Sequence, residues 1–202
     1  TIKEALTFDD VTLVPKFSSV LPSDVNTETT LSKNLKLKIP LITSAMDTVT
    51  EAKMAIAIAK AGGIGVIHRN LSISDQVKQI KKVKSKKYKV GAAVGAGKNE
   101  FKRAQEILKH NINLIVVDTA HAHTQKVAEI IKKINNIRPK SVALCAGNIA
   151  SAEAAKFLIN LGVDILKVGI GPGSICTTRI VAGIGVPQLS AILDVKKGIK
   201  KK

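Results

Sequence analysis

The chain has 202 residues, 45% of them hydrophobic, which is enough for one domain with a substantial core and short for two. Two cysteines, Cys145 and Cys176, cannot staple a secreted fold, so free thiols and a cytoplasmic setting are expected, and no apolar run reaches the roughly 18 residues of a membrane span. The net charge of +17 raises nucleic-acid binding, but only four of the 32 basic residues are arginine and aromatic residues make up 2%, whereas nucleic-acid sites favour arginine forks and stacking rings; neither a nucleic-acid nor a membrane partner is expected.

In chain order, the first β-type apolar run is Ile39 to Thr43. Thr50 is the predicted cap of a helix that closes at Gly62, and a second run follows at Ile64 to Ile67. Val77, Ile80 and Val83 then form the apolar stripe of a helix, before a third run at Val90 to Val94. Phe101, Ala104, Ile107 and Leu108 mark the next helix, with a fourth run at Leu114 to Val117. Val127, Ile130, Ile131 and Ile134 share one helical stripe, which turns Lys126, Lys132 and Lys133 to water. The fifth run, Val142 to Cys145, precedes a helix capped by Ser151, carried on Ala154, Leu158 and Leu161 and ended by Gly162. After the sixth run, Ile165 to Val168, a last helix starts near Pro187 and continues through Leu189, Ile192 and Val195 to a lysine-rich tail.

Six alternations of a continuous apolar run with a helix predict an α/β fold whose parallel strands are covered on both faces. A doubly wound sheet gathers its site at one switch point, whereas a TIM (β/α)8-type barrel takes residues from every strand end. Polar or special residues follow nearly every run here: Ser44-Ala45-Met46-Asp47, His68-Arg69-Asn70, Asp118-Thr119-Ala120-His121, Gly147-Asn148 and Gly169 to Thr178. The expectation is therefore a single barrel domain over 1–202, truncated to about six β/α units and incomplete at its C-terminus.

Chemistry concentrates in Gly169-Ile170-Gly171-Pro172-Gly173-Ser174-Ile175-Cys176-Thr177-Thr178-Arg179. Alternating glycines after a strand let backbone groups approach a phosphate or a cation, and the spacing is not the G-x-G-x-x-G of a dinucleotide fold. Cys176 lies among glycine, serine, threonine and arginine, which suits an activated nucleophile. Cys145, inside Val142-Ala143-Leu144-Cys145, reads as a buried hydrophobe. Asp118 reads equally as a helix cap, and Ser44 and Asn148 as turn residues. His121 and His123, at i, i+2 with no third ligand motif, make a poor metal pair.

The cysteine loop, with Leu6-Thr7-Phe8-Asp9-Asp10-Val11, Ser44-Ala45-Met46-Asp47-Thr48-Val49-Thr50-Glu51 and Gly62-Gly63-Ile64-Gly65, resembles the IMP dehydrogenase and GMP reductase superfamily, on its dehydrogenase side, from about residue 4 to 195. The resemblance implies NAD-dependent oxidation of IMP to XMP, in guanine nucleotide biosynthesis, through a covalent thioimidate on Cys176, with Thr178 near the reacting centre. It implies substrate contacts from Ser174, Ser44, Met46 and Asn148. Cofactor contacts follow from Asp118, Thr119, Ala120, His121, Gly169, Ile170 and Gly171. It also implies a potassium ion on the carbonyls of Gly171, Gly173 and Cys176, and a homotetramer for the full-length parent. GMP reductase, which uses NADPH, and a non-catalytic nucleotide-binding remnant are the alternatives.

Three departures from the family pattern stand out. Ala122 occupies the glycine position of Asp-x-x-His-Gly-His, where a positive φ would strain alanine. Only Ser85-Lys86-Lys87-Tyr88-Lys89 stands where many relatives insert CBS domains, so regulation through that module is not expected. The elements that follow the sixth unit in the family, with its water-activating arginine and tyrosine, are not in the sequence, so a fragment of a longer enzyme is expected.

Overall fold

The structure is a computed structural model and describes residues 4–199. A small antiparallel pair, β1 (Thr29–Ser32) and β2 (Leu35–Leu37), precedes a parallel sheet of six strands. These are β3 (Ile42–Thr43), β4 (Ile64–Ile67), β5 (Val90–Val94), β6 (Leu114–Asp118), β7 (Ala143–Ile149) and β8 (Ile165–Val168). Between them run α1 (Ala52–Ala61), α2 (Ile73–Lys84), α3 (Glu100–Leu108), α4 (Gln125–Ile137) and α5 (Ala152–Asn160), with α6 (Thr177–Ala182) and α7 (Gln188–Gly198) after β8.

Strand order equals chain order, β3-β4-β5-β6-β7-β8, with every pair parallel. A doubly wound sheet would reverse direction at a switch point. The unbroken sweep instead makes a curled half-barrel with helices on its outside, as the loop contents predicted.

Strand side chains alternate between two cores with the period of 2 that a pleated strand imposes. Ile64, Val66, Ala93, Leu114, Val116, Ala143 and Cys145 face the concave side. Ile67, Ala92, Val94, Ile115, Val117, Leu144 and Ala146 face the helices. The predicted helix stripes meet that outer face: Ile80 and Val83 of α2, Ala104 and Ile107 of α3, and Ile131 and Ile134 of α4 are all buried. Lys126, Lys132 and Lys133 are exposed, as expected.

The β1–β2 pair was not expected, since its apolar positions are few and its strands short. Leu35 and Leu37 of β2 are nonetheless fully buried, joining the concave core beside Ile64 and Leu114. Each such leucine contributes about 1.5–3 kcal/mol of burial. Asn34 Nδ2 donates to the Lys140 carbonyl at 2.6 Å and Lys89 Nζ to the Lys36 carbonyl at 2.6 Å. Lys89 and Lys140 precede β5 and β7, so the hairpin closes the N-terminal end of the sheet and leaves the C-terminal end open.

Several boundaries differ from expectation. The residue at the start of α1 is Glu51, not Thr50, whose side chain is buried with no hydrogen-bond partner among the described residues. The free amide of Ala52 is capped from the next helix, by Gln79 Oε1 at 2.9 Å. β7 continues to Ile149, because Gly147 and Ile149 pair with Lys167 and Val168 across an irregularity at Asn148, and β3 shrinks to two residues at the sheet edge. Between α2 and β5 lies only a short turn that includes Lys87 in the left-handed region, φ 61°. Among the described residues no helix is long and apolar enough to cross a membrane.

Candidate active site at the strand C-terminal ends

The parallel strands deliver their C-terminal residues to the same end of the sheet, where those of five strands surround a cavity of about 530 Å³. Ala45, Met46 and Asp47 come from the end of β3, and His68, Arg69 and Asn70 from β4. Asp118, Thr119 and Ala120 come from β6, Asn148 from β7 and Lys167 from β8.

Behind this lining, buried polar groups fix the strand ends. Gln76 of α2 is fully buried; its Nε2 donates to the carbonyls of Ile67 at 3.3 Å and Ala93 at 2.9 Å, the last turns of β4 and β5. Arg103 of α3 donates to Gln76 Oε1 at 3.0 Å and to the Leu71 carbonyl at 3.0 Å. Glu100 meets Arg103 and accepts from the Gly95 amide at 2.5 Å. Leaving any of these groups without its partner would cost about 1–3 kcal/mol.

On the far side of the cavity, Lys167 Nζ reaches Asp118 Oδ1 at 2.6 Å across β7. The strand between them carries Gly147, where a Cβ would collide with the backbone carbonyl of Lys167. Only glycine admits this close approach. Thr119 N–H and Oγ1 donate to the Gly147 carbonyl at 2.9 and 3.0 Å, and Asn148 Nδ2 donates to the Gly169 carbonyl at 2.8 Å. The expected cofactor loop and substrate-side Asn148 are thus stitched into one wall.

Asp47 accepts from Asn70 Nδ2 at 2.8 Å, and this bond, with that from the Thr48 amide, holds its carboxyl below the usual carboxylate range. His68, 2% exposed, lies with Nε2 3.3 Å from Glu51 Oε1, while its Nδ1 accepts from the Asn70 amide at 3.2 Å. The Nδ1 acceptor role assigns the proton to Nε2.

The cysteine loop leaves β8 at Gly169 and returns at Val186, whose amide donates to the Ile170 carbonyl at 2.9 Å. Gly171 needs its freedom: φ is 56°, and a Cβ there would run into the Ile184 carbonyl. Gln188 of α7 secures the loop base, donating to the Val168 carbonyl at 3.1 Å. Cys176 sits at the N-cap of the short helix α6, a helix in place of the expected loop. The backbone amide of Arg179, then that of Thr178, with the Thr178 hydroxyl and the Arg179 charge, hold its thiol below the usual thiol range. Burial has the opposite effect on Cys145, pushing its thiol up to about 12.

Of the residues expected in the site, Met46, Asp118, Thr119, Ala120 and Asn148 line the cavity. Ser44 stands one residue before the lining and His121 one after it. Ser174, Cys176, Thr178, Gly169, Ile170, Gly171 and Gly173 belong to the adjoining loop and are not part of the lining. His68, Arg69, Asn70, Asp47 and Lys167 were given no role from the sequence; their one signal is position, immediately after an apolar run or, for Lys167, near its end. Ala122 is fully buried without a positive φ, so alanine is unstrained there.

Of the three carbonyls that the resemblance assigns to potassium, two accept bonds within the loop as arranged. The Gly173 carbonyl accepts from the Cys176 amide at 3.1 Å and the Cys176 carbonyl from the Ile180 amide at 2.9 Å. The Gly171 carbonyl packs against Gly185, where an added Cβ would lie 2.5 Å from it. Among the described residues no group of three or more His, Cys, Asp or Glu could hold a metal, and the rings of His121 and His123 are 6.3 Å apart.

A parallel half-barrel with a polar cavity at the strand C-terminal ends, adjoined by a glycine-rich loop bearing a partly exposed cysteine, defines a β/α-barrel domain of the enzyme type. More particularly, the chain belongs to the IMP dehydrogenase / GMP reductase domain family, which it matches over residues 5–202. It is 46% identical to the inosine-5'-monophosphate dehydrogenase of Borreliella burgdorferi, over 96% of this chain and 60% of that protein. Identity to the Cryptosporidium parvum protein of the same name is 41%, over 95% of this chain and 58% of the relative. To that of Aquifex aeolicus it is 34%, over 96% and 65%. The chain thus spans about 60% of the length of these relatives. The Aquifex alignment, 321 residues long, exceeds the whole 202-residue chain, so that relative has internal residues this chain lacks.

Proposed function

We propose that this domain belongs to an NAD-dependent dehydrogenase that oxidises IMP to XMP in guanine nucleotide synthesis, with Cys176 as the nucleophile. The observation that carries the reading is the Cys176 thiol, partly exposed at the N-cap of α6, on the loop that leaves β8 beside a polar cavity fed by five strands. Amide donors favour the thiolate, and a thiolate adds readily to an electron-poor carbon.

In this reading the Cys176 sulfur bonds to purine carbon 2, and the hydrogen on that carbon leaves with its electron pair. NAD, when bound, accepts that pair. Water then displaces the sulfur, returning the thiol and releasing XMP. Asn148, Met46 and Ser44 are assigned to the purine nucleotide, and Ser174 to its phosphate. Thr178 is placed beside the reacting carbon. Asp118, Thr119, Ala120 and His121 with Gly169, Ile170 and Gly171 are assigned to the dinucleotide, and Lys167 holds the Asp118 carboxylate toward the cavity. No step is routed through potassium.

The test is spectrophotometric. With IMP and NAD, absorbance of reduced cofactor should grow and should be lost in Cys176→Ala. Oxidation of NADPH with GMP, and no reaction with IMP, would reassign the domain to the reductase side of its family. Assembly as a homotetramer belongs to the same proposal and is read by light scattering.

A further inference from the structure

Four charged side chains line the mouth cavity, and three are already satisfied. Asp118 and Lys167 neutralise each other at 2.6 Å, and Asp47 accepts from Asn70 and the Thr48 amide. Arg69 is the exception: among the described residues its guanidinium has no hydrogen-bond or ion-pair partner, although five donors are available.

The guanidinium is nevertheless not adrift. It lies flat on the backbone of Gly95 at the end of β5, where an added Cβ would come within 3.1 Å of the guanidinium carbon. The residues on either side of Arg69 are both tied down. His68 is buried and bonded to Glu51 and to the Asn70 amide, and Asn70 is bonded to Asp47 across the gap between the β4 and β3 ends. Glu51 is held in turn by Gln79 Nε2 at 3.3 Å. The backbone that carries Arg69 is therefore set before any ligand arrives, which lowers the ordering cost of a contact.

We propose that Arg69 is an anion-binding residue of this cavity and takes a phosphoryl group of a bound nucleotide. A planar guanidinium presents paired N–H donors that match two phosphoryl oxygens. The inference rests on the nucleotide reading above and adds to it a residue and a ligand chemistry. The phosphoryl group has two possible sources, the monophosphate of the substrate and the diphosphate of the dinucleotide.

The experiment is isothermal titration of the parent chain, Arg69→Gln and Arg69→Lys with IMP, inosine, NAD, adenosine and inorganic pyrophosphate. Arg69 is exposed, so its variants should keep the parent's circular dichroism. Removing one charge-assisted, partly solvated contact should weaken the affected ligand roughly tenfold, and Lys should restore part of it because it keeps the charge without the fork. Loss for IMP with none for inosine identifies the substrate phosphate. Loss for NAD and pyrophosphate with none for adenosine identifies the diphosphate. Nucleotide binding by the parent with Arg69→Gln unchanged within twofold overturns the inference and leaves the nucleotide reading standing. A parent chain that binds none of the probes overturns both.

Discussion

The two thiols differ in environment enough to be separated by a simple alkylation experiment. Cys145 is 7% exposed on the concave side of β7, with its thiol pushed up to about 12, whereas Cys176 is half-exposed with amides lowering its value from 9.0. At pH 8 a thiol of pKa about 12 is ionised to about one part in 10⁴, and one at or below 9.0 to at least about one part in ten. The more basic thiolate is intrinsically the better nucleophile, which returns a factor of about 20 over three pKa units. The net preference for Cys176 is then at least about fiftyfold before steric access is counted. Limited iodoacetamide treatment of the native chain, followed by peptide mapping, should place nearly all label on Cys176. Arg179→Met should slow it only slightly, since the backbone amide rather than the side-chain charge is the main cause of the lowered value. Comparable labelling of Cys145 and Cys176 in the folded chain would refute the assignment of one buried and one activated thiol.

Three further outcomes are expected. Gln76→Leu should destabilise the chain by about 2–4 kcal/mol in urea, because it strips two carbonyls and Arg103 of a partner, while Gln79→Leu, a half-buried helix cap, should cost about 1 kcal/mol. Leu35→Ala should cost about 2–5 kcal/mol by opening a void at the closed end of the sheet, and a cost under about 1 kcal/mol would mean the hairpin does not pack there. Alkaline stability should carry the signature of Cys145: its folded value is raised, so the unfolded chain releases the proton first, and stability present below pH 9 declines toward pH 12 by up to about 1.4 kcal/mol per pH unit. Cys145→Ala should flatten that slope in urea titrations across this window.

Much of the fold was legible because its signals were local and repeated. Runs such as Val90 to Val94 are buried on both faces, and stripes such as Val127, Ile130, Ile131 and Ile134 point one way, so composition and period agreed with tertiary packing. What escaped was decided by distant partners. Leu35 and Leu37 alternate over only three residues, too few for a period to register, and their burial depends on a concave sheet built later in the chain. Thr50 has the chemistry of a cap, but the α1 amide of Ala52 is capped by Gln79, 27 residues beyond it. In the site, Asp118 and Asn148 were found through their motifs, whereas Lys167 matters through a pairing 49 residues away that Gly147 permits. Arg69 was visible as a residue after a strand, but its unpaired state and its seat on Gly95 exist only in three dimensions.

Intact-mass analysis of the chain after incubation with IMP and NAD, with Cys176→Ala and Cys145→Ala as controls, tests Cys176 as the nucleophile. A covalent nucleotide adduct should form on the parent chain and on Cys145→Ala, map to Cys176 and be missing from Cys176→Ala. An adduct that persists in Cys176→Ala, or none on a folded parent chain that binds both ligands, would contradict the assignment of Cys176 as the nucleophile.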